Sequence, residues 1–445
     1  MDKLFGTDGI RATAGEYPLD YNSIYTLGHA LIDLLKAEKL APRVIIGRDT
    51  RESGQWIEQA LFQGVKEAKG KALSAGLIPT SAISFLTKQE GFSAGIVISA
   101  SHNPYQDNGI KIFSSQGIKI TSVWEELLEQ AITGSSYSVQ KKEMTLSTDN
   151  SLGNDYIRFL KSRFDGVRLP RKIKIVLDCS NGASSYIAPM IFSDLAFDVI
   201  AINASPDGTN INKECGSLYP QNLAKKVVET AADIGIAYDG DADRALWIDE
   251  TGRILNGDHT LYVLSRFMKE RDRLRTDTVV ATTMSNMGLE KALEEVGLKL
   301  VRTEVGDKYV LEEMMRLNAN LGGEQSGHTI FIDDCPTGDG ILTSLKILEV
   351  LAEKDTTLSR LVSGFAEYPQ ILKNVPVSRK PDMGRYSEIM DAIHAVKELL
   401  SDQGRLNVRY SGTEPLVRIM IEGSDLQQIE EYADRLASVI SKHLS

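Results

Sequence analysis

Arg43-Val-Ile-Ile-Gly-Arg-Asp49 is a short apolar run ending in charge, and Ala94-Gly-Ile-Val-Ile-Ser-Ala100 has the same form further on. Between them Ser53 to Lys69 carries a helical rhythm, and another apolar run lies near Leu73 to Ile78. Apolar runs this short, separated by amphipathic stretches, predict buried strands alternating with helices. Such alternation builds α/β layers on mostly parallel or mixed sheets. The pattern restarts at Lys174-Ile-Val-Leu-Asp178, passes through Asp198-Val-Ile-Ala-Ile-Asn203 and reaches Ile234-Gly-Ile-Ala-Tyr238. It restarts again at Thr278-Val-Val-Ala-Thr-Thr283, with a strand at Lys299-Leu-Val-Arg-Thr-Glu304 and an amphipathic helix from Gly340 to Glu353. Ser122-Val-Trp-Glu125 reads as a capping box opening a helix. Thr133 to Asn154, rich in Ser, Thr, Gly, Asn and Lys, reads as a linker. Pro369, Pro376 and Pro381 precede a smaller unit: a helix from Arg385 to Leu400, two strands around Leu406 to Tyr410 and Leu416 to Glu422, and a last helix. The expected fold is α/β: three consecutive β/α domains with mixed sheets (1–152, 153–253, 254–368) and a smaller C-terminal α+β domain (369–445). The rhythm suggests a threefold repeat without a sequence period.

The 445 residues hold 50 Lys and Arg against 61 Asp and Glu, a net charge of −11. That balance argues against nucleic acid or an anionic membrane as partner, while allowing a local basic pocket. Cys179, Cys215 and Cys335 are far apart and form no C-x-x-C, which excludes a zinc ribbon or thioredoxin-type site. They fit reduced thiols in a cytosol. The start, Met1-Asp2-Lys3-Leu4-Phe5-Gly6, has no apolar signal core, and no apolar run reaches the ~18 residues of a membrane span. A cytoplasmic protein is expected, and a homodimer is left open.

Four loops carry chemistry. Ser99-Ala-Ser101-His102-Asn103-Pro104 follows a buried strand, where α/β folds place ligands. A serine hydroxyl becomes a nucleophile only with a base or charge beside it, and Ser101 has His102 adjacent and Lys111 near. The alternative is an Asn-Pro turn capped by Ser and His. Asp239-Gly-Asp-Ala-Asp243-Arg244 sets Asp239, Asp241 and Asp243 at alternate positions, a charge density that calls for a cation. All-oxygen ligation suits Mg²⁺ or Ca²⁺. A calcium EF-hand would use Glu250 at its twelfth place, but Arg244 stands sixth, where that loop needs glycine, and the flanks read as strands. A phosphatase with Asp239 as nucleophile is discounted because Asp243 stands where a small Thr or Val is expected. Gly322-Gly323-Glu324-Gln325-Ser326-Gly327-His328 combines close backbone approach with donors and acceptors suited to sugar hydroxyls, or is an ordinary turn. Arg409-Tyr410-Ser411-Gly412-Thr413-Glu414-Pro415, with Arg418 beyond, offers hydroxyls, backbone N–H groups and forked cations for a phosphate; the alternative is a solvated turn. Gly91-Phe-Ser93-Ala-Gly95 matches a nucleophile elbow, but the strand follows it instead of preceding it, so Ser93 is read as structural. With no nucleotide-binding loop, these parts describe phosphoryl transfer between the enzyme and a phosphosugar.

These loops, together with Phe5-Gly-Thr-Asp-Gly-Ile-Arg11, resemble the α-D-phosphohexomutase superfamily in order and over essentially the whole chain. Gln325 and Gly306-Asp307-Lys308-Tyr309-Val310 look like its glucosamine branch. Ala12, Lys308 and Tyr410 depart from the usual Gly, Arg and Pro. The resemblance implies four domains, heart-shaped around a central cleft, with one loop from each. It implies a phosphoserine at Ser101 and Mg²⁺ held by Asp239, Asp241, Asp243 and a phosphoserine oxygen. Arg11, Lys111 and Arg244 would surround the transferring group, with Lys111 or His102 as proton carrier. Glu324, Ser326 and His328 would bind the sugar, and Arg409, Ser411, Gly412, Thr413 and Arg418 the far phosphate. The reaction implied interconverts glucosamine 6-phosphate and glucosamine 1-phosphate through a sugar 1,6-bisphosphate, which also serves as activator. Rival readings are a phosphomannomutase/phosphoglucomutase, or a non-catalytic phosphosugar- or calcium-binding protein, which would need no phosphate on Ser101.

Overall fold

The computed structural model describes residues 3–134, 139–149, 151–411 and 415–444. Three successive sheets share one wiring. In the first, Arg43–Arg48 pairs in parallel with Lys71–Leu77 on one side and Ala94–Ile98 on the other, and Asp107–Ser114 joins Ala94–Ile98 antiparallel. In the second, Lys174–Asp178 lies between the parallel strands Asp198–Ile202 and Ile234–Tyr238, and Ala245–Asp249 closes antiparallel. In the third, Thr278–Thr282 lies between Lys299–Thr303 and Leu321–Gly323, and Thr329–Phe331 closes antiparallel. Helices link the first strand to the second and the second to the third each time. The threefold repeat is thus real as strand order, and all three sheets are mixed.

That wiring positions the chemistry. The turn from third to fourth strand holds Ser101 in the first sheet, the Asp239–Arg244 stretch in the second and the Glu324–His328 stretch in the third. Three of the four candidate loops are therefore topological equivalents, each at the C-terminal end of a parallel strand. Ala94–Ile98 and Ile234–Tyr238 are buried at every residue, which is why they read as continuous apolar runs without alternation.

The three sheets belong to one compact unit, Met1–Met284 with Leu298–Ser363. The other unit comprises Ser285–Gly297 and Gly364–Ser445, so it includes a segment that the expected division at 368/369 leaves out. The fully buried Glu422 accepts from Met287 N (3.2 Å), Asn286 Nδ2 (3.4 Å) and Gln370 Nε2 (3.1 Å) and pairs with Arg405. The tail sheet has three antiparallel strands, not two, because Gln370–Pro376 adds to Leu416–Gly423 opposite Gly404–Tyr410. Pro376 is tolerated there because it ends an edge strand. Val417, Ile419 and Ile421 pack with Val396, Ile429 and Leu436 of the two tail helices.

Two local expectations change. The helix Ser122–Thr133 is capped by Thr121, one residue earlier than expected, whose Oγ1 accepts from Trp124 N. Glu125 instead faces Lys3 and Lys308, so no capping box forms there. Part of the expected linker is ordered against the first sheet: Ser74 N donates to Ser147 O (2.7 Å), and Gln59 and Gln63 side chains accept from Met144 and Lys142 N.

Candidate active site

Ser101 leaves its buried strand in a left-handed backbone conformation, φ 51°, a region that L residues other than Asn and Asp seldom occupy. It is fully buried. Its Oγ donates to Asp239 Oδ2 at 2.6 Å, joining residues 138 positions apart, and lies 3.3 Å from His102 Nδ1. The approach requires glycine at 240, since a Cβ there would stand 2.6 Å from the Ser101 carbonyl oxygen.

Carboxylate oxygens of Asp239, Asp241 and Asp243 lie within 4.8 Å of one another, all buried. Asp241 Oδ2 takes Thr80 Oγ1 (2.5 Å) and Lys111 Nζ (2.8 Å), and Asp243 Oδ2 takes Lys111 Nζ (3.3 Å). Asp241 Oδ1 and Asp243 Oδ1 are buried without a hydrogen-bond partner among the described residues. Two orphan hard oxygens beside a third carboxylate fit a small divalent cation. Glu250, the EF-hand alternative's last ligand, instead accepts from Ser359.

Charge around the triad is densely paired. Lys111 is 1% exposed and also meets Asp8 at 3.0 Å. Burial alone would lower its pKa, but Asp241, Asp8 and Asp243 hold it well above the ordinary lysine value. Burial, then the neighbouring Asp243 and Asp241, raise Asp239 well above the usual carboxylate range. Asp243 is drawn well below that range, against its burial, by Lys111 and His328. Burial, Arg244 and Arg11 push His102 down to about 4, leaving a neutral ring at neutral pH.

A cleft of about 400 Å³ opens over this floor, lined among others by Asp8, Arg11, His102, Arg244, Asp307, Glu324 and His328. Arg11 pairs with Asp8 and reaches Asn103 Oδ1 at 3.4 Å. Arg244 Nε is 3.8 Å from Asp243 and 4.0 Å from Asp239. The sugar-loop candidate meets the acidic loop through Ala245 N to Gly327 O (3.2 Å), and Glu324 Oε1 accepts from Gly306 N (3.1 Å). His328 is buried, 3.6 Å from Asp243 and 3.7 Å from Asp307. Against its burial, these carboxylates and Glu324 push its pKa up to about 9. The Gly338 amide lies 2.9 Å from Nε2, a contact that opposes this rise because it donates to that nitrogen only in the neutral ring. Ser326 does not line the cleft, and its Oγ is buried without a partner among the described residues.

In the tail unit, Arg409 and Arg418 stand directly opposite in register, two like charges on the sheet face away from the Val417, Ile419 and Ile421 core. Lys380 Nζ donates to Ser411 O (2.6 Å). Gly412 and Thr413 lie outside the described residues.

Several contributors were not among the candidates. Asp8 and Asp307 stood inside quoted motifs, so their acidity was visible but not their partners. Lys119 bridges both (2.6 and 2.7 Å) from a hairpin that no local signal marked. Arg51 and Asn212 hold the Ser101 backbone.

Matches to known proteins agree with this architecture. Four family models match in order: phosphoglucomutase/phosphomannomutase alpha/beta/alpha domain I over residues 2–138, domain II over 154–252, domain III over 256–368 and the C-terminal domain over 372–439. A phosphoglucosamine mutase from Koribacter versatilis is 46% identical over 455 residues, covering 99% of this chain and 98% of that protein. Among solved structures, a phosphoglucomutase/phosphomannomutase family protein from Burkholderia thailandensis has the same fold, with TM-score 0.82 at 22% identity over 99% of this chain and 97% of that one. An Aspergillus fumigatus N-acetylphosphoglucosamine mutase, solved in complex with GlcNAc-6P and magnesium, gives TM-score 0.65 at 19% identity over 99% of this chain and 96% of that one. With nearly half its residues shared end to end with such a mutase and the domain models met in sequence, the chain belongs to the phosphoglucomutase/phosphomannomutase family, in its phosphoglucosamine mutase branch.

Proposed function

We propose that this protein interconverts glucosamine 6-phosphate and glucosamine 1-phosphate by phosphoryl transfer through Ser101. The observation that carries the reading is the contact between Ser101 Oγ and Asp239, which sets a nucleophile-type hydroxyl on a buried carboxylate triad. Asp239, Asp241 and Asp243, with an oxygen of phosphorylated Ser101, would hold Mg²⁺. When bound, that ion would neutralise charge developing on the serine oxygen. Arg11 and Arg244, both in the cleft wall, stabilise the equatorial phosphoryl oxygens. Lys111, ion-paired on three sides, acts as a fixed charge. Neutral His102, in the cleft wall, takes the proton from the attacking sugar hydroxyl. As the sugar O–P bond forms, the Ser101 O–P bond breaks, giving a sugar 1,6-bisphosphate; after reorientation the other phosphate returns to Ser101. Glu324 accepts from sugar hydroxyls, with Ser326 and His328 ordering that loop. Arg409, Ser411, Gly412, Thr413 and Arg418 would grip the phosphate that is not reacting.

The test is a mutase assay with glucosamine, glucose and mannose phosphates, primed with a sugar 1,6-bisphosphate, alongside phosphopeptide mapping. Glucosamine phosphate should be preferred and phosphate should map to Ser101. Preference for mannose or glucose phosphate would move the chain to the rival activity. Full turnover by Ser101→Ala would end the covalent mechanism.

A further inference from the structure

Asp49 and Arg51 sit just past the strand Arg43–Arg48, outside every loop discussed above. Both are 0% exposed and ion-paired to each other. An isolated buried ion pair is a poor way to gain stability, because the desolvation of both charges offsets their attraction. Here each partner has a further task. Asp49 Oδ2 accepts from Ser99 Oγ (2.5 Å), and Ser99 Oγ in turn accepts from Ser101 N (2.9 Å). Arg51 Nη2 donates to the carbonyls of Ser101 (3.1 Å) and Asn103 (2.6 Å). The pair therefore reaches both the N–H and the C=O of Ser101, and the chain of contacts closes on itself. From the second sheet's half of the unit, Asn212 Nδ2 donates to the same two carbonyls, at 2.9 and 3.0 Å. What all this holds is a serine at φ 51°, a conformation that persists in an L residue only where the surroundings over-determine it.

We infer that Asp49 and Arg51 are positioning residues for the reaction. Through Ser99 and directly, they clamp the Ser101 peptide at both ends in the left-handed conformation that aims Oγ at Asp239, and Asn212 completes the clamp from the neighbouring sheet. None of the four lines the cleft; they act through Ser101. The inference rests on Ser101 being the nucleophile. Its consequence is that loosening the clamp slows phosphoryl transfer in both directions while leaving sugar binding alone, because misplacing a reacting atom by about 1 Å costs on the order of 10²-fold in rate.

The experiment follows the rate of phosphate uptake by dephosphorylated full-length enzyme from glucose 1,6-bisphosphate in single-turnover mode, with steady-state kcat and KM and a thermal melt. Three variants are compared with wild type: Arg51→Lys, which keeps the charge but loses the guanidinium fork; Ser99→Ala, which cuts only the link to Ser101 N; and Asn212→Ala. Arg51→Lys should slow uptake and kcat by about 10²-fold, and the other two by about 10-fold, each with KM within about 3-fold of wild type. Ser99→Ala leaves the ion pair intact, so it keeps the test available if Arg51→Lys folds poorly. Wild-type uptake by folded Ser99→Ala and Asn212→Ala, or losses confined to KM, would overturn the inference and leave the pair a packing feature. A wild type that places no phosphate on Ser101 would instead overturn the nucleophile reading, and this inference with it.

Discussion

Lys111→Met is the substitution whose consequences the structure specifies most fully. The side chain is 1% exposed, and its Nζ meets Asp241 at 2.8 Å, Asp8 at 3.0 Å and Asp243 at 3.3 Å. Met fills similar volume without charge, so the change isolates electrostatics from packing. Removing one partner of a buried ion pair costs about 3–5 kcal/mol, because the other is left uncompensated. That loss should appear in metal-free enzyme. Mg²⁺ binding should move the opposite way. Unit charges about 4 Å apart at an effective dielectric near 20 interact by about 4 kcal/mol, and realising only a third of that by removing a like charge tightens binding about 10-fold. The assay is urea unfolding followed by tryptophan fluorescence, in EDTA and across a Mg²⁺ titration. The chain's 3 tryptophans, Trp56, Trp124 and Trp247, all belong to the unit that holds the site. A destabilisation below about 1 kcal/mol in EDTA, or weaker Mg²⁺ binding by the variant, would refute the view that Lys111 is the counter-charge of the triad.

Three further outcomes are expected. Gly240→Ala puts a Cβ 2.6 Å from the Ser101 carbonyl oxygen; overpacking of this kind costs about 1–3 kcal/mol, and kcat should fall on the order of 10²-fold as the two loops part, a claim that near-normal turnover would sink. Burial pushes the Asp339 pKa up to about 6 despite donors from Leu342 N and Tyr156. A carboxylate raised in the folded state costs stability as pH climbs from its unfolded value of about 4 through 6, about 3 kcal/mol in all; Asp339→Asn should flatten that slope in urea melts at pH 4 and pH 8, and parallel wild-type and variant curves would contradict it. Arg418→Ala should lower kcat/KM by roughly 10- to 150-fold with either the 1-phosphate or the 6-phosphate sugar, the worth of one charge-assisted contact of about 1.5–3 kcal/mol; a loss in one direction only would show that the tail arginines do not serve both orientations of the intermediate.

Sequence alone determined most of the buried parallel strands and which single loops gather reactive or ligating side chains. A fully buried strand announces itself as an unbroken apolar run, and a loop that concentrates Asp239, Asp241 and Asp243 calls for a cation whatever surrounds it, because both signals are local. The threefold wiring was legible only as rhythm, since what repeats is strand order, which no residue period records. Tertiary structure decided which loops meet. That Ser101 touches Asp239, that Lys111 neutralises the triad and that Lys119 ties Asp8 to Asp307 are contacts across 100 to 200 positions, set by the order of strands and the glycine at 240. Arg51 was unreadable for the same reason: in the string Arg-Asp-Thr-Arg it looks like a solvated turn, and only packing buries it against Asp49 and the Ser101 carbonyl. Arg409 and Arg418 became neighbours through the register of one hairpin. Propensity and charge act within a few residues and can be read from the chain; the pairing of distant loops depends on the free energy of the whole fold.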